Sequence, residues 1–289
     1  MVRASKFEPP ILFGKFDASS LGAGLSSSES PSSSSAIQAI EANLWAFLAT
    51  VCGSGFHEQN DLAWYLTGIP FPFFNGVLRA RLQPDTLDKS IEDVLEHYRL
   101  RNLPMYWWVG PASSPDDLGE HLESHDLTLD HRDRGMAVDL GLLKNLEPPK
   151  QVRIERVNNK QILAGWTRVF TSVFGIPAEC SDACIEMFDR VGYALDGKLW
   201  NYVGILGDRI VATSAVFLDD DVAGVYNVAT MPEARGKGIG ATMTLAPLLK
   251  ARERGCRLGI LQSSQMGYGV YKALGFQEYC KIDLYTSKF

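Results

Sequence analysis

Three glycines at alternate positions, in Arg235-Gly236-Lys237-Gly238-Ile239-Gly240-Ala241, constrain this chain more than any other stretch. Before them, residues 222–230 are apolar or β-compatible and read as a strand. After them, residues 241–252 read as a helix that Gly255 ends. The first N–H groups of a helix have no partner within it and carry partial positive charge, so they favour an anion. Glycine lets the backbone approach that anion closely, and Arg235 and Lys237 add two full charges. Strand, glycine turn and helix in this order predict an α/β fold built around a phosphate cradle. Pro247 falls inside the predicted helix and is expected to kink it, because an interior proline costs about 3 kcal/mol.

Two common phosphate loops do not fit. The dinucleotide fingerprint needs G-x-G-x-x-G, and the nucleoside-triphosphate loop needs G-x-x-x-x-G-K followed by Ser or Thr. Here the glycines alternate and Lys237 is followed by Gly238. The spacing that fits is Arg, two residues, Gly, one residue, Gly, carried by Arg235, Gly238 and Gly240. It resembles the acyl-CoA-binding motif of the GNAT superfamily of N-acyltransferases. The lead-in Thr230-Met231-Pro232-Glu233-Ala234 is similar to that family's V-x-P-E-x, with Thr230 at the Val position. Residues 256–262 read as the next strand, 266–274 as a helix and 276–285 as a last strand. The family's Y-x-x-L-G-F signature falls on Tyr271, Leu274, Gly275 and Phe276. The resemblance covers residues 153–289; a chance glycine-rich turn is the alternative, and the second motif at matching spacing weighs against it.

The resemblance implies a mixed α/β fold, a central twisted and mostly antiparallel sheet flanked by helices. It implies acetyl-CoA as co-substrate and no metal. The backbone at Val228, Ala229 and Thr230 would pair with the pantetheine arm. Arg235, Gly236, Lys237, Gly238, Ile239, Gly240 and Ala241 would hold the pyrophosphate. Ser264, with Ser263, would line the channel, and Tyr271 would act as general acid for the departing thiolate. A phenol near pKa 10 can protonate a thiolate whose acid sits near 8.5; a tyrosine that only packs or orients the sulfur is the alternative. The base is not visible: Glu179, Glu186, Tyr226 and Asn227, the last through a water, stand level. The acceptor pocket is expected along residues 170–179, with Phe174, Trp200 and Tyr202 each standing level between lining it and ordinary core packing. The expected activity is acetyl transfer to the amine of a small molecule. Other thioester chemistry (O-acyl transfer or decarboxylation) and a non-catalytic CoA-binding module remain alternatives.

Composition bounds the rest. The chain has 289 residues, 46% hydrophobic and 21% charged, within the range of ordinary globular proteins. A net charge of −6 with no basic run argues against nucleic acid as a partner. The five cysteines (Cys52, Cys180, Cys184, Cys256 and Cys280) fit no disulfide or zinc spacing and read as free thiols. His121 and His125 lie four apart, but His-Leu-Glu-Ser-His is not the metalloprotease order, and a surface helix is the simpler reading. No unbroken apolar run reaches 18 residues and the start lacks an apolar signal core, so no membrane partner and a cytoplasmic location are expected. A monomer or homodimer is expected.

Four segments divide the chain. Residues 1–36 are expected to be a flexible Ser-rich tail or insertion, 147–151 a linker and 152–289 the catalytic domain. Residues 37–146 carry the surprise. From Phe73 onward they read strand, helix, strand, helix, strand, the order also read from Val222 to Tyr285. Leu82-Gln83-Pro84-Asp85 has no glycine where the second copy has its motif, and His125-Asp126-Leu127 stands where that copy has Leu274-Gly275-Phe276. This half therefore resembles a degenerate GNAT-like domain with a sheet of its own, as in tandem GNAT proteins. An unrelated α/β cap is the alternative.

Overall fold

Helix α1 (Ser33–Cys52) starts inside the serine run that was expected to be flexible. The Oγ of Ser32 accepts the N–H of Ser35 at 3.2 Å, so these serines cap the helix start. The computed structural model describes residues 32–59, 61–144, 149, 151–194 and 196–287. The tail before residue 32 and most of the expected linker lie outside the described residues. By length and composition α1 could cross a membrane, with a mean hydropathy of 1.3. Here Ala36, Ile40, Leu44, Phe47, Leu48 and Val51 are buried in the protein core, which accounts for that apolarity.

The first half continues with β1 (Phe56–Glu58), β2 (Ala63–Leu66), β3 (Asn75–Leu78), α2 (Leu87–Arg99), β4 (Tyr106–Val109), α3 (Leu118–Ser124) and β5 (Thr128–Asp139). The second half runs β6 (Val152–Arg156), α4 (Lys160–Phe174), α5 (Ser181–Val191), β7 (Leu199–Leu206), β8 (Arg209–Asp219) and β9 (Val222–Thr230). It ends with α6 (Ile239–Glu253), β10 (Leu258–Ser263), α7 (Tyr268–Ala273) and β11 (Gln277–Thr286).

All these strands share one sheet in the order β1-β2-β3-β4-β11-β5-β10-β9-β8-β7-β6. The fold class is the expected mixed α/β, mostly antiparallel and flanked by helices. Only β3–β4 and β9–β10 are parallel. The expectation of a separate sheet in each half gives way to a single sheet, because the halves exchange their last strands. β5 of the first half runs between β10 and β11 of the second, and β11 pairs with β4 of the first. Each half is thus completed by a strand of the other, and residues 32–289 form one compact unit.

The helices sort onto two faces. On one, α1, α4 and α5 bury Phe47, Trp166, Phe170 and Phe188 against Tyr65, Val203, Phe217 and Tyr226. On the other, α6 packs over β5, β8 and β9, and α2 and α3 pack over Val77, Trp107 and Tyr285. The helix α6 does not end at Pro247, which is buried within it. A proline there removes the bond to the Met243 carbonyl, and packing on the sheet holds the helix through it.

The repeat of element order has a geometric counterpart. Each parallel pair carries a glycine on its first strand: Gly76 opens its pairing opposite Tyr106, and Gly224 closes its own opposite Ile260. Three residues later, Arg79 and Asn227 both take positive φ, at 55° and 53°. Short 3-10 turns follow in both copies, Pro84–Thr86 and Pro232–Ala234. At the far end, Leu127 N–H donates to Leu122 O and Phe276 N–H to Tyr271 O, each at 3.1 Å.

Candidate active site

The site begins where β9 and β10 part. Their pairing stops at Gly224 opposite Ile260, although β9 continues to Thr230 and β10 to Ser263. A bulge in β9, where Asn227 and Val228 lie opposite the single residue Ser214 of β8, turns β9 away. The Oγ1 of Thr213 donates to the Asn227 carbonyl at 2.9 Å and holds the bulge. The N–H of Met231 donates to Val211 O of β8 at 2.8 Å. Backbone direction alternates along a strand, so Ala229 also faces β8. The N–H of Thr230 and the carbonyl of Val228 then face the gap toward β10. Of the three residues expected to meet the pantetheine arm, Val228 and Thr230 present backbone groups to that gap and Ala229 does not.

Next comes the glycine loop. Gly236 and Gly238 take φ of 73° and 74°, a left-handed conformation that costs other residues about 1–2 kcal/mol. Residues 235–238 are all exposed. The Nε of Arg235 donates to Thr230 O at 3.0 Å and the Nζ of Lys237 to Glu233 O at 3.3 Å, so both cations arch over the loop. Ile239 is buried and anchors the first turn of α6, while Gly240 and Ala241 are half-buried beside it. The hydroxyls of Thr242 and Thr244 donate to the carbonyls of Gly238 and Gly240, each at 3.0 Å.

Tyr271 stands on α7, half-buried against the α6 face. Its ring packs on the backbone of Gly267, where an added Cβ would lie 2.7 Å from Cε2. Burial pushes its hydroxyl up to about 12; the charge of Asp133 adds to the shift and a hydrogen bond with Thr244 opposes it. At the end of β10, Ser263 is buried and its Oγ donates to Ser264 O at 2.9 Å, whereas Ser264 is exposed.

The first half contributes to this end of the sheet. Arg134 of β5 pairs in register with Ser263, and its guanidinium lies 4.8 Å from the Tyr268 ring of α7. Its neighbour Asp133 lies one step beyond the end of β10. Asp133 shares the opposite face with Gly135 and Ala137, the face that α1 covers through Ile40. Its carboxylate is 14% exposed and sits 3.9 Å from Nε2 of His131. Burial raises its pKa, and His131 and Arg134 pull the other way. Sequence reasoning missed Asp133, because no motif marks a residue brought in by strand exchange.

Other expected residues fall elsewhere. Tyr226 donates to Asn43 Oδ1 at 2.8 Å and stacks on Phe47 with ring centroids 4.0 Å apart, so its hydroxyl is already engaged. Glu179 and Glu186 are not buried: Glu179 sits on an exposed turn, and Glu186 borders a cavity of about 400 Å³ with Thr67, Met187 and Arg190. Trp200 and Tyr202 point to the α6 face, with Arg156 4.9 Å from the Trp200 ring, and therefore do not line the 170–179 segment. Phe174 does lie there, and Phe73 of the first half sits 6.0 Å from both Phe170 and Phe174. His121 and His125 both approach Asp88 Oδ1, at 3.3 and 3.2 Å. Among the described residues, no group of three or more His, Cys, Asp or Glu is placed to hold a metal ion.

The first copy shows what the site loses. Thr86 leads straight into α2 at Leu87, whereas Ala234 is followed by Arg235–Gly238 before α6 begins at Ile239. Leu82-Gln83-Pro84-Asp85 therefore corresponds to the lead-in Thr230-Met231-Pro232-Glu233, and the first half has no segment in the place of Arg235–Gly238. The equivalent gap is also filled: Leu82 N–H donates to Ser114 O and Ser114 N–H to Ala80 O, both at 2.9 Å. Leu122 stands at the position of Tyr271 and has no hydroxyl.

Comparisons with known proteins agree with this geometry. Residues 198–278 match the model of the acetyltransferase (GNAT) domain. No curated protein matches the sequence. Among solved structures, a GCN5-related N-acetyltransferase from Kribbella flavida superposes with a TM-score of 0.66 at 17% identity, covering 87% of this chain and 96% of its own. One from Sphaerobacter thermophilus gives 0.59 at 14% identity, covering 90% and 94%. A tandem GNAT protein from the clavulanic acid biosynthesis pathway gives 0.54 at 14%, covering 78% of each chain. At these identities the likeness is one of fold.

Proposed function

We propose, from a chain whose residues 198–278 match the GNAT acetyltransferase domain, that its second half transfers an acetyl group from acetyl-CoA to the amine of a small molecule. One observation carries the reading. The unpaired strand edge of β9, the loop Arg235–Gly238 and Tyr271 converge at one end of the β9–β10 gap, and the first copy lacks all three.

In this reading the pantetheine arm lies in the gap and pairs with Thr230 N–H and Val228 C=O, as Ser114 does with Leu82 and Ala80 in the first copy. The pyrophosphate rests on the loop and the start of α6, with the charges of Arg235 and Lys237 and with helix N–H groups that have no partner within α6. The thioester carbon then lies at the sheet gap, where an amine adds and the C–S bond breaks.

Tyr271 serves the departing sulfur. With its hydroxyl held near 12, the phenol stays protonated at physiological pH and remains a donor. Full transfer to a thiolate whose acid lies near 8.5 would be uphill by about 5 kcal/mol. A hydrogen bond that strengthens as charge builds on sulfur supplies stabilisation without that penalty. The acceptor is read as small because Phe73 and Phe74 of the first half cover Phe170 on the 170–179 side, narrowing the approach.

Thiol release from acetyl-CoA with a panel of small primary amines tests the assignment, alongside calorimetric binding of CoA. Amine-dependent release and one CoA per chain are expected. Tight binding without release for every amine would make the protein a CoA-binding module, and two CoA per chain would contradict the filled gap in the first copy.

A further inference from the structure

The proposed reaction needs a group to take the proton of the attacking ammonium, and each residue put forward from sequence is exposed, engaged or an amide. We propose that Asp133, delivered by the first half on β5, is the base that accepts the proton of the nucleophile. This rests on the acyl-transfer reading above. The argument is positional. Tyr271 lies on the α6–α7 face of the sheet and Asp133 on the α1 face. Asp133 sits one residue past the Arg134–Ser263 pair, where β10 ends. A thioester threaded through the β9–β10 gap therefore has the phenol on one side and the carboxylate on the other.

The surroundings suit the role. The titratable groups within electrostatic reach of Asp133 are His131 on its own face, Tyr106 of β4, and, from the opposite face, its neighbour Arg134 and Tyr271 of α7. No ion pair closer than the 3.9 Å approach of His131 is formed by its carboxylate among the described residues, and burial raises its pKa above the ordinary aspartate value. A base is more effective the nearer its pKa lies to the working pH. The step balances as follows. The carboxylate takes one proton from R–NH₃⁺, and the amine lone pair forms the C–N bond. The C–S bond breaks with its electron pair on sulfur, which accepts a hydrogen bond from Tyr271; the nitrogen's second proton passes to solvent, leaving the amide and the CoA thiolate, and Asp133 releases the first proton to solvent.

The test compares wild type with Asp133→Asn, following thiol release from acetyl-CoA against pH, both with an amine panel and with water alone as nucleophile. Water does not ionise in this range, so a rising limb with water reports the enzyme. Expected is a loss of at least about 100-fold in kcat, within the range general bases contribute, together with disappearance of the limb. Affinity for CoA and the melting temperature should stay as in wild type. If Asp133→Asn keeps the rate and the limb, the assignment is overturned and acyl transfer stands. If wild type binds acetyl-CoA but releases no thiol with any amine or water, the acyl-transfer reading fails and takes the base with it. Should Asp133→Asn not fold, Asp133→Glu decides: a displaced limb supports the base, and an unmoved limb rules it out.

Discussion

Deleting Arg235–Gly238, so that Ala234 joins Ile239, recreates in the second copy the connection that the first copy uses between Thr86 and Leu87. Both connections follow a 3-10 turn and both lead to a buried aliphatic side chain, Leu87 at 2% and Ile239 at 1% exposure. The shortened connection is therefore one this protein already folds. All four removed residues are exposed, so little apolar burial is lost. The charged contacts removed, Arg235 to Thr230 and Lys237 to Glu233, are surface contacts that contribute at most about 1 kcal/mol each, and the two bonds that Thr242 makes to the Gly238 carbonyl pass to the carbonyl of Ala234. A change of about 1 kcal/mol shifts Tm by roughly 2–4 °C in a chain of this size. The ligand term is larger. Two charge-assisted contacts to a pyrophosphate, at about 1.5–3 kcal/mol each, sum to at least about 3 kcal/mol. That corresponds to on the order of 100-fold in Kd. Calorimetric titration with CoA and a circular-dichroism melt read the two quantities separately. A Kd within threefold of wild type would refute the cradle, and loss of the melting transition would refute the equivalence of the two connections.

Three further outcomes are expected. Tyr271→Phe should lower kcat by about 10- to 100-fold, the worth of one hydrogen bond to a charged group, with KM for acetyl-CoA unchanged; an unchanged kcat would remove Tyr271 from the chemistry. Gly224→Ala would place a Cβ 1.9 Å from Asn43 Oδ1 and 2.6 Å from the Tyr226 ring. It should therefore cost about 1–3 kcal/mol in urea denaturation, the usual penalty of overpacking. Residues 152–289 expressed alone should fail to give a folded monomer by circular dichroism and size-exclusion chromatography, because β5 is what joins β10 to β11; a stable, cooperatively melting fragment would contradict this.

The glycine loop, its flanking elements and the order of strands and helices were legible because each is a local pattern: a glycine spacing, an alternation, an apolar periodicity. What stayed hidden depends on which elements meet. The run from Leu127 to Leu140 reads as a strand, but nothing in it states that its neighbours will be β10 and β11 of the other half. Asp133 was therefore invisible as a site residue. Trp200 and Tyr202 stay open between lining and core for a related reason, since alternation groups them on one face without saying which face carries the 170–179 segment, and the structure places both in the core. The start of α1 was misread because serine is a poor helix former in isolation yet a strong cap, and the cap decides here.

Strand exchange also accounts for a half that has lost its loop, its gap and its tyrosine yet remains part of the fold. Without β5, β10 and β11 would each present an unpaired edge, and open edges invite pairing with other chains. Without β11, β4 and β5 would do the same in the first half. Each copy covers an edge of the other, so neither can be dropped without opening the sheet at the strand that carries Arg134 and Asp133. Arg134 reaches α7, which carries Tyr271, and Asp133 faces the opposite side of the same gap. The first copy can thus lose every feature of its own cleft while its last strand stays bound to the geometry of the second.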